Sequence, residues 1–269
     1  ISPTHTAPSL TEDQITRRKL EDYHAGSLPG AVDFAWPYLK HKDRYIQYAA
    51  RIAIEQQPLE KWQQKVLSEK DPIALIQSAI ALARKGNESV RNQLTQSLLS
   101  IDFSALTGSS QLDWLRANEL VLARLGHPDA ATKNSLVKYL DNLYPARSNS
   151  LNRELSKLLV YLGSPSSIEK TLGLLVTAKD EEPSQKNISL SADLILRNPQ
   201  YGMDIANVIS KHPPHQQTWY ANVLSKATVG WTDSLREVYF KWYYKAFGFK
   251  GGVSFVGFID DMRKEALKN

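Results

Sequence analysis

Apolar residues recur at spacings of three and four along almost the whole chain, and alternating β-branched runs are few, so the pattern predicts helices throughout. Leu151, Leu155, Leu158, Leu159 and Leu162 form one stripe, and Ile73, Ile76, Ile80 and Ala83 another. Helix starts carry their own chemistry. Asp71-Pro72, Ser164-Pro165 and Asn198-Pro199 each set a capping side chain before a proline, whose missing N–H costs nothing at a first helical position. Thr11 and Gln14 have the spacing of a capping box. Three helix ends recur in similar dress: "LARKGNES" (82–89), "LARLGHPD" (122–129) and "VYLGSPSS" (160–167). Their glycines, Gly86, Gly126 and Gly163, stand 40 and 37 residues apart.

That period suits two-helix repeats of the HEAT or armadillo kind, in which each pair buries its stripe against its neighbours. The expected fold is therefore all-α, an α-solenoid of about fourteen helices. Looser breaks fall at 101–110, 143–150 and 179–187. None is long enough for a domain linker, so residues 11–269 are expected as one continuous solenoid behind a flexible lead, 1–10. The Pro/Thr/Ser-rich start at Ile1 reads as a piece released from a longer polypeptide.

Composition narrows the chemistry. The chain has 269 residues and 42% hydrophobic content, enough for a substantial core. No apolar run approaches the roughly 20 residues needed to cross a bilayer, so no membrane insertion is expected. Without cysteine there is no thiolate metal site, cysteine nucleophile or thioether-linked haem in this chain. The net charge of +5 is uneven: residues 211–269 hold nine Lys/Arg against five Asp/Glu.

The same end is rich in aromatic rings. "GWTDSLREVYFKWYYKAFGFKGGVSF" (230–255) leads a stretch, 231–258, that holds ten of the chain's 25 aromatics. On a helix over 232–247, Tyr239, Trp242, Tyr243 and Phe247 share a face, with Phe240 and Tyr244 beside it and Lys241 and Lys245 pointing away. Gly251-Gly252 permits a turn before a last helix at 254–267. This aromatic-rich end, 229–269, reads first as a helical cap that seals the last repeat, with Thr232 or Asp233 as N-cap and Trp231 as a hydrophobic staple. The competing reading makes Trp231, Tyr239, Lys241, Trp242 and Lys245 a binding surface for a partner or ligand. A third pairs the rings with cations for nucleic-acid contact, although no dense Lys/Arg run accompanies them.

Other candidates are weaker. His212-Pro-Pro-His215 is a close histidine pair in a turn, without further metal ligands in its neighbourhood. Glu55, Glu69 and Glu119 lie near Arg51, Lys65 and Arg116 at helical spacing and are expected as solvated ion pairs. Arg17, Arg18, Arg44, Arg51, Arg116, Arg124 and Arg153 recur on helices, where a ladder onto Asp43, Glu119 and Glu154 would tie repeats together. The sharper alternative is an anionic ligand held in a concave groove. No nucleophile elbow, phosphate loop or zinc-protease motif is present.

Several stretches together resemble a known family: "RRKLEDYHAG", "DRYIQYAARIAIEQQPLEKWQQKVLSEKDP", "LARLGHPDAAT", "LDNLYPARSNSLNRELSKLLVYLGSP" and "GWTDSLREVYFKWYYKAFGFKGGVSFVGFIDDMRKEAL". They are similar to the HEAT-like segment of multidomain c-type cytochrome proteins, often labelled membrane-bound dehydrogenases, of planctomycetes, verrucomicrobia and some Bacteroidetes. The resemblance implies a non-catalytic scaffold or connector between an N-terminal β-propeller and a C-terminal domain with haem c. It also implies an extracytoplasmic, periplasmic setting, with no cofactor in the helical part itself. Where that family carries a cysteine in the "LNREL" motif, this chain has Ser156. The partners so implied are neighbouring domains or another protein; the alternative is a HEAT-like nucleic-acid-binding or DNA-repair protein.

Overall fold

A computed structural model describes residues 9–180, 214–249 and 254–269. Among these residues every regular element is helical: thirteen α-helices and five short 3₁₀ helices. The expectations at Asn198-Pro199, His212, Gly251-Gly252 and most of the 179–187 break lie outside the described residues, as does nearly all of the 1–10 lead.

The chain divides into two compact units, residues 1–136 and 137–269. In the first, α1 (Glu12–Asp22), α3 (Arg44–Glu55), α5 (Pro72–Lys85) and α7 (Gly108–Leu125) pack successively against one another. Behind them lie α2 (Ala31–Ala35), α4 (Gln63–Ser68) and α6 (Arg91–Leu99). Helix α5 has neighbours on nearly every side, and Ala74 through Ala83 are all buried. The stripe Ile76, Ile80 and Ala83 is thus part of a helix apolar almost all round, while Ile73 remains partly exposed.

Local capping chemistry sets the boundaries. Thr11 and Gln14 form the expected reciprocal box, Thr11 N–H donating to Gln14 Oε1 at 2.9 Å and Gln14 N–H to Thr11 Oγ1 at 3.3 Å. Asp71 Oδ1 accepts from the Ile73 and Ala74 N–H groups, both at 3.1 Å, with Pro72 in the first turn. Gly86, Gly126 and Gly163 each end a helix as expected. Gly163 is left-handed at φ 71°, and Ser164 and Gly163 donate back to Leu159 and Val160, the paired bonds of a Schellman end. At α7's end, Arg91 Nη1 donates to the Leu125 carbonyl at 2.7 Å, satisfying a carbonyl that the helix leaves open. The 101–110 break is shorter than expected: Thr107 caps α7, which begins at Gly108.

One cap is displaced. Ser164-Pro165 does not start a helix; the chain makes one more turn and α10 (Ser167–Thr177) begins after Ser166. Ser164 instead offers its carbonyl to the Ser167 N–H and hydroxyl. The turn is held close to Gly230, at φ +94°, where a Cβ would stand 2.7 Å from the Pro165 carbonyl oxygen.

Helix α8 (Ala130–Leu143) contains the division between the units, and Asp129 Oδ1 caps it through the Thr132 N–H at 2.8 Å. The second unit continues with α9 (Asn149–Leu162), α10, α11 (His215–Leu224), α12 (Asp233–Ala246) and α13 (Phe255–Ala266). Asp180 carries both bonds at the start of α11, its two oxygens accepting from His215 and Gln216 N–H at 2.8 Å each. The core gathers Ile168, Leu172 and Leu175 from α10, Tyr220 and Leu224 from α11, Tyr239, Trp242 and Tyr243 from α12, and Ile259 and Met262 from α13.

Candidate functional site

A groove of about 910 Å³ opens on the first unit, between α3, α5, α7 and the loops that precede α3 and α7. Asp43 starts α3, its Oδ1 accepting from Tyr45 N–H at 2.7 Å and Ile46 N–H at 3.4 Å. Because Ile46, Ala49, Ala50, Ala53 and Ile54 bury one face, Arg44, Tyr48, Arg51 and Glu55 follow one another along another, at i, i+4, i+7 and i+11. Tyr45 and Tyr48 are 58% and 53% exposed. Their rings act as shelves for guanidinium groups: Arg17 and Arg44 lie 5.9 and 5.3 Å from the Tyr45 centroid, and Arg51 lies 5.1 Å from that of Tyr48.

The floor is a chain of polar side chains across three helices. Arg51 Nη1 donates to Gln77 Oε1 at 3.2 Å, and Gln77 Nε2 donates to Asp113 Oδ2 at 3.3 Å. On its other side Arg51 Nε stands 3.6 Å from Glu55 Oε1, while Arg84 Nε reaches Glu55 Oε2 at 3.0 Å. Neither Arg51 Nε nor Glu55 Oε1 makes a hydrogen bond, so this contact is an ion pair without the directional bond. Burial raises the Glu55 carboxyl above its usual range against the pull of Arg84 and Arg51. Burial likewise lowers the Arg51 guanidinium, with Glu55 opposing, and raises Asp113 against Arg51 and Arg44.

The lining carries four cations, Lys40, Lys42, Arg44 and Arg51, against one carboxylate, Asp113. Lys40 is engaged by Asp71 at 3.0 Å and Arg51 by Glu55. Lys42 and Arg44 are exposed and form no ion pair among the described residues. The far rim is neutral and hydroxyl-bearing, with Thr107, Ser109 and Ser110. Chemically the arrangement presents guanidinium and ammonium groups to an anion, with tyrosine and isoleucine beside them.

Sequence reasoning had found Arg44 and Arg51, and had weighed an anion in a groove against a ladder of arginines. The ladder takes a different form: Arg17 pairs with Glu21 and Arg116 with Glu119 within their own helices, Glu154 pairs with Lys157, and Asp43 serves as a cap. Glu55 is corrected from a solvated pair to a residue 3% exposed between two arginines, because α5 covers it. Glu69 does not meet Lys65 but accepts from Trp36 Nε1 at 2.6 Å, while Lys65 pairs with Asp33. Lys42, Tyr45, Tyr48, Gln77 and Asp113 are not singled out by sequence pattern. The available signal was the polar stripe opposite the alanines of "RYIQYAARIAIE" and the lone Gln77 inside an otherwise small and apolar helix.

In the second unit the expected aromatic candidates separate. Tyr239 is 1% and Trp242 6% exposed, so both rings belong to the core. Trp242 Nε1 donates to Gln217 Oε1 at 3.2 Å, and Tyr239 Oη donates to the Ala221 carbonyl at 2.8 Å. Half-buried Trp231 donates to the Ala227 carbonyl at 2.8 Å and packs its ring 5.3 Å from Tyr239. Instead of a purely hydrophobic staple, Trp231 meets Arg236, whose guanidinium lies 5.3 Å from the indole. Thr232 is the N-cap. Lys241 is exposed and paired with Glu237 at 2.6 Å, and Lys245 is exposed on the same outer side. Phe247, the C-cap of α12, is 40% exposed with its ring 6.5 Å from that of Tyr243, whereas Tyr244 is 88% exposed.

Among the described residues no three His, Asp or Glu side chains converge as metal ligands. No helix among them is long and apolar enough to cross a membrane. Comparison with known proteins finds no matching family model, no matching curated sequence and no matching solved structure.

Proposed function

We propose that this chain is a non-catalytic helical-repeat module that positions neighbouring domains or a protein partner, and that it does so through the groove of the first unit. The observation that carries this reading is the stripe Arg44, Tyr48 and Arg51 on α3, two exposed side chains followed by a largely buried guanidinium, held above the buried face of the helix. Arginine and tyrosine are enriched at the anchor positions of protein interfaces, tyrosine for its large contact area with few rotamers to freeze and arginine for its planar fork of donors. Stacked helix pairs of the HEAT or armadillo kind are the architecture we infer, supported by the repeated glycine ends and by the successive packing of α1, α3, α5 and α7 within the first unit. The resemblance to the helical segment of multidomain cytochrome proteins adds the setting: an extracytoplasmic oxidoreductase assembly, with haem c in an adjacent domain.

A photo-crosslinking residue placed at Tyr45 in the native host tests the docking role. Crosslinks to a protein or to a flanking domain, lost when Lys42 and Arg44 are changed to Glu, are the expected outcome. A purified chain that turns over sugars, esters or nucleic-acid lesions and loses that activity on a groove substitution would overturn the non-catalytic reading.

Nucleic acid is the second reading, favoured by the same mixture of cations and rings. The guanidiniums packed on Tyr45 and Tyr48 weigh against it, since they occupy ring faces on which bases would stack.

A further inference from the structure

Resting on the docking reading, we propose that the groove's occupant is an extended acidic peptide segment, its carboxylates seated on Arg44, Lys42 and the guanidinium edge of Arg51. Three observations converge on this chemistry. The charge balance of the lining is the first: one carboxylate, Asp113, faces four cations, and Lys42 and Arg44 form no close ion pair among the described residues, Asp113 acting on Arg44 only from further off. A carboxylate ligand supplies these two exposed cations with charge-assisted partners beside the more buried Arg51.

The second is preorganisation. Arg44 and Arg51 rest on tyrosine rings, and Arg51 is further fixed by Gln77 and Glu55. Arg44, stacked by its face, keeps its guanidinium edge available for the paired contact that a carboxylate makes, while Arg51, its Nη1 given to Gln77 and its Nε facing Glu55, contributes a fixed positive charge. Tyrosine faces already covered by arginine serve an acidic peptide better than a nucleobase.

The third is size and spacing. The volume of about 910 Å³ is at the upper end for drug-sized ligands, so a single small anion would leave most of it unfilled. Arg44 and Arg51 are seven residues apart on α3, about 10.5 Å along the axis at 1.5 Å per residue. In polyproline-like extended chain, residues three apart lie on one side at about 9 Å, so acidic residues at every third position match the two arginines. The hydroxyls of Ser109 and Ser110 on the far rim suit peptide amides of the same segment, Thr107 being held as the cap of α7.

The test uses the whole chain and fluorescence anisotropy. The probe is a labelled twelve-residue peptide with Glu at every third position; its comparators are the same peptide with Gln, a version with the Glu residues clustered at one end, and single-stranded DNA of equal length. The spaced acidic peptide should bind at least tenfold more tightly than the Gln and clustered versions. Arg44→Glu should weaken it at least tenfold and Lys42→Glu severalfold, with Lys138→Glu, exposed on α8, leaving it unchanged. Circular dichroism of each variant confirms that the fold is retained, and Arg44→Lys should recover part of the affinity. The proposal is overturned by absence of peptide binding, by binding indifferent to Arg44→Glu, or by DNA binding as tightly with the same sensitivity, which would make the groove a nucleic-acid site. If the peptide fails while crosslinks at Tyr45 persist, docking stands and the acidic occupant falls. If both fail, so does the docking role.

Discussion

Tyr239 and Tyr243 share a buried hydroxyl pair whose energetics follow from a proton count. Tyr239 Oη donates its one proton to the Ala221 carbonyl at 2.8 Å, so the Tyr243 hydroxyl, 2.8 Å away, must donate to Tyr239. Desolvation raises both phenols, Tyr243 to about 12, so both remain neutral at physiological pH. In Tyr239→Phe the Ala221 carbonyl keeps its helical partner, the Ser225 N–H at 3.0 Å, but the Tyr243 hydroxyl is left buried with no acceptor. One modest hydrogen bond and one orphaned hydroxyl sum to about 2–3 kcal/mol. Tyr243→Phe leaves Tyr239 still donating to Ala221 and should cost about 0.5–1.5 kcal/mol. The double substitution orphans no hydroxyl, so it should be no less stable than Tyr239→Phe alone. Urea unfolding of the four proteins, followed by circular dichroism, gives the coupling directly, expected at about 1 kcal/mol. Equal single costs that simply add would refute the shared pair.

Three further outcomes are expected. Trp242→Ala removes a ring 6% exposed from the core of the second unit and should cost about 3–5 kcal/mol in urea unfolding; unchanged stability would show that the ring is not packed as described. Glu55→Ala leaves desolvated Arg51 beside Arg84 without the carboxylate between them and should cost about 3–5 kcal/mol, whereas Arg84→Ala, which retains Arg51 and Glu55, should cost less; the reverse order would contradict the assignment. For Asp71, burial raises the carboxyl, but the Ala74 and Ile73 N–H groups and Lys40 outweigh it and hold it below the usual range. A depressed folded-state value means that its stabilisation is present above the unfolded value, about 3.9, and disappears as pH falls through the folded one. The stability gap between the protein and Asp71→Asn should therefore shrink below about pH 4; a constant gap in urea midpoints across that range would sink the account.

Short-range chemistry was the legible part of this chain. The Thr11 and Gln14 box, the Asp71-Pro72 start and the glycine ends at 86, 126 and 163 each depend on groups within five residues, so residue type and spacing suffice. Ser164-Pro165 misled because the close approach of Gly230 shapes the same turn from 65 residues further on, and local spacing does not report it. The inward rings Tyr239, Trp242 and Tyr243 followed from helical phase, and Phe247, the C-cap, keeps that phase with its ring 6.5 Å from Tyr243 but is 40% exposed.

The groove was illegible for a related reason. Arg51, Gln77 and Asp113 are 26 and 36 residues apart in successive steps, and nothing in any one helix shows that they meet. What brings them together is the small apolar face of α3: Ala49, Ala50 and Ala53 occupy positions where larger side chains would hold the neighbouring helices away. Close packing of α3 against α5, and of α5 against α7, then leaves Gln77 spanning from a guanidinium to a carboxylate. The same twelve residues thus supply both the buried surface that fixes α3 and the polar stripe that lines the groove. Rigidity of the stripe is a consequence of the core beneath it, and the proposed match between two arginines and charges at a set spacing depends on that rigidity.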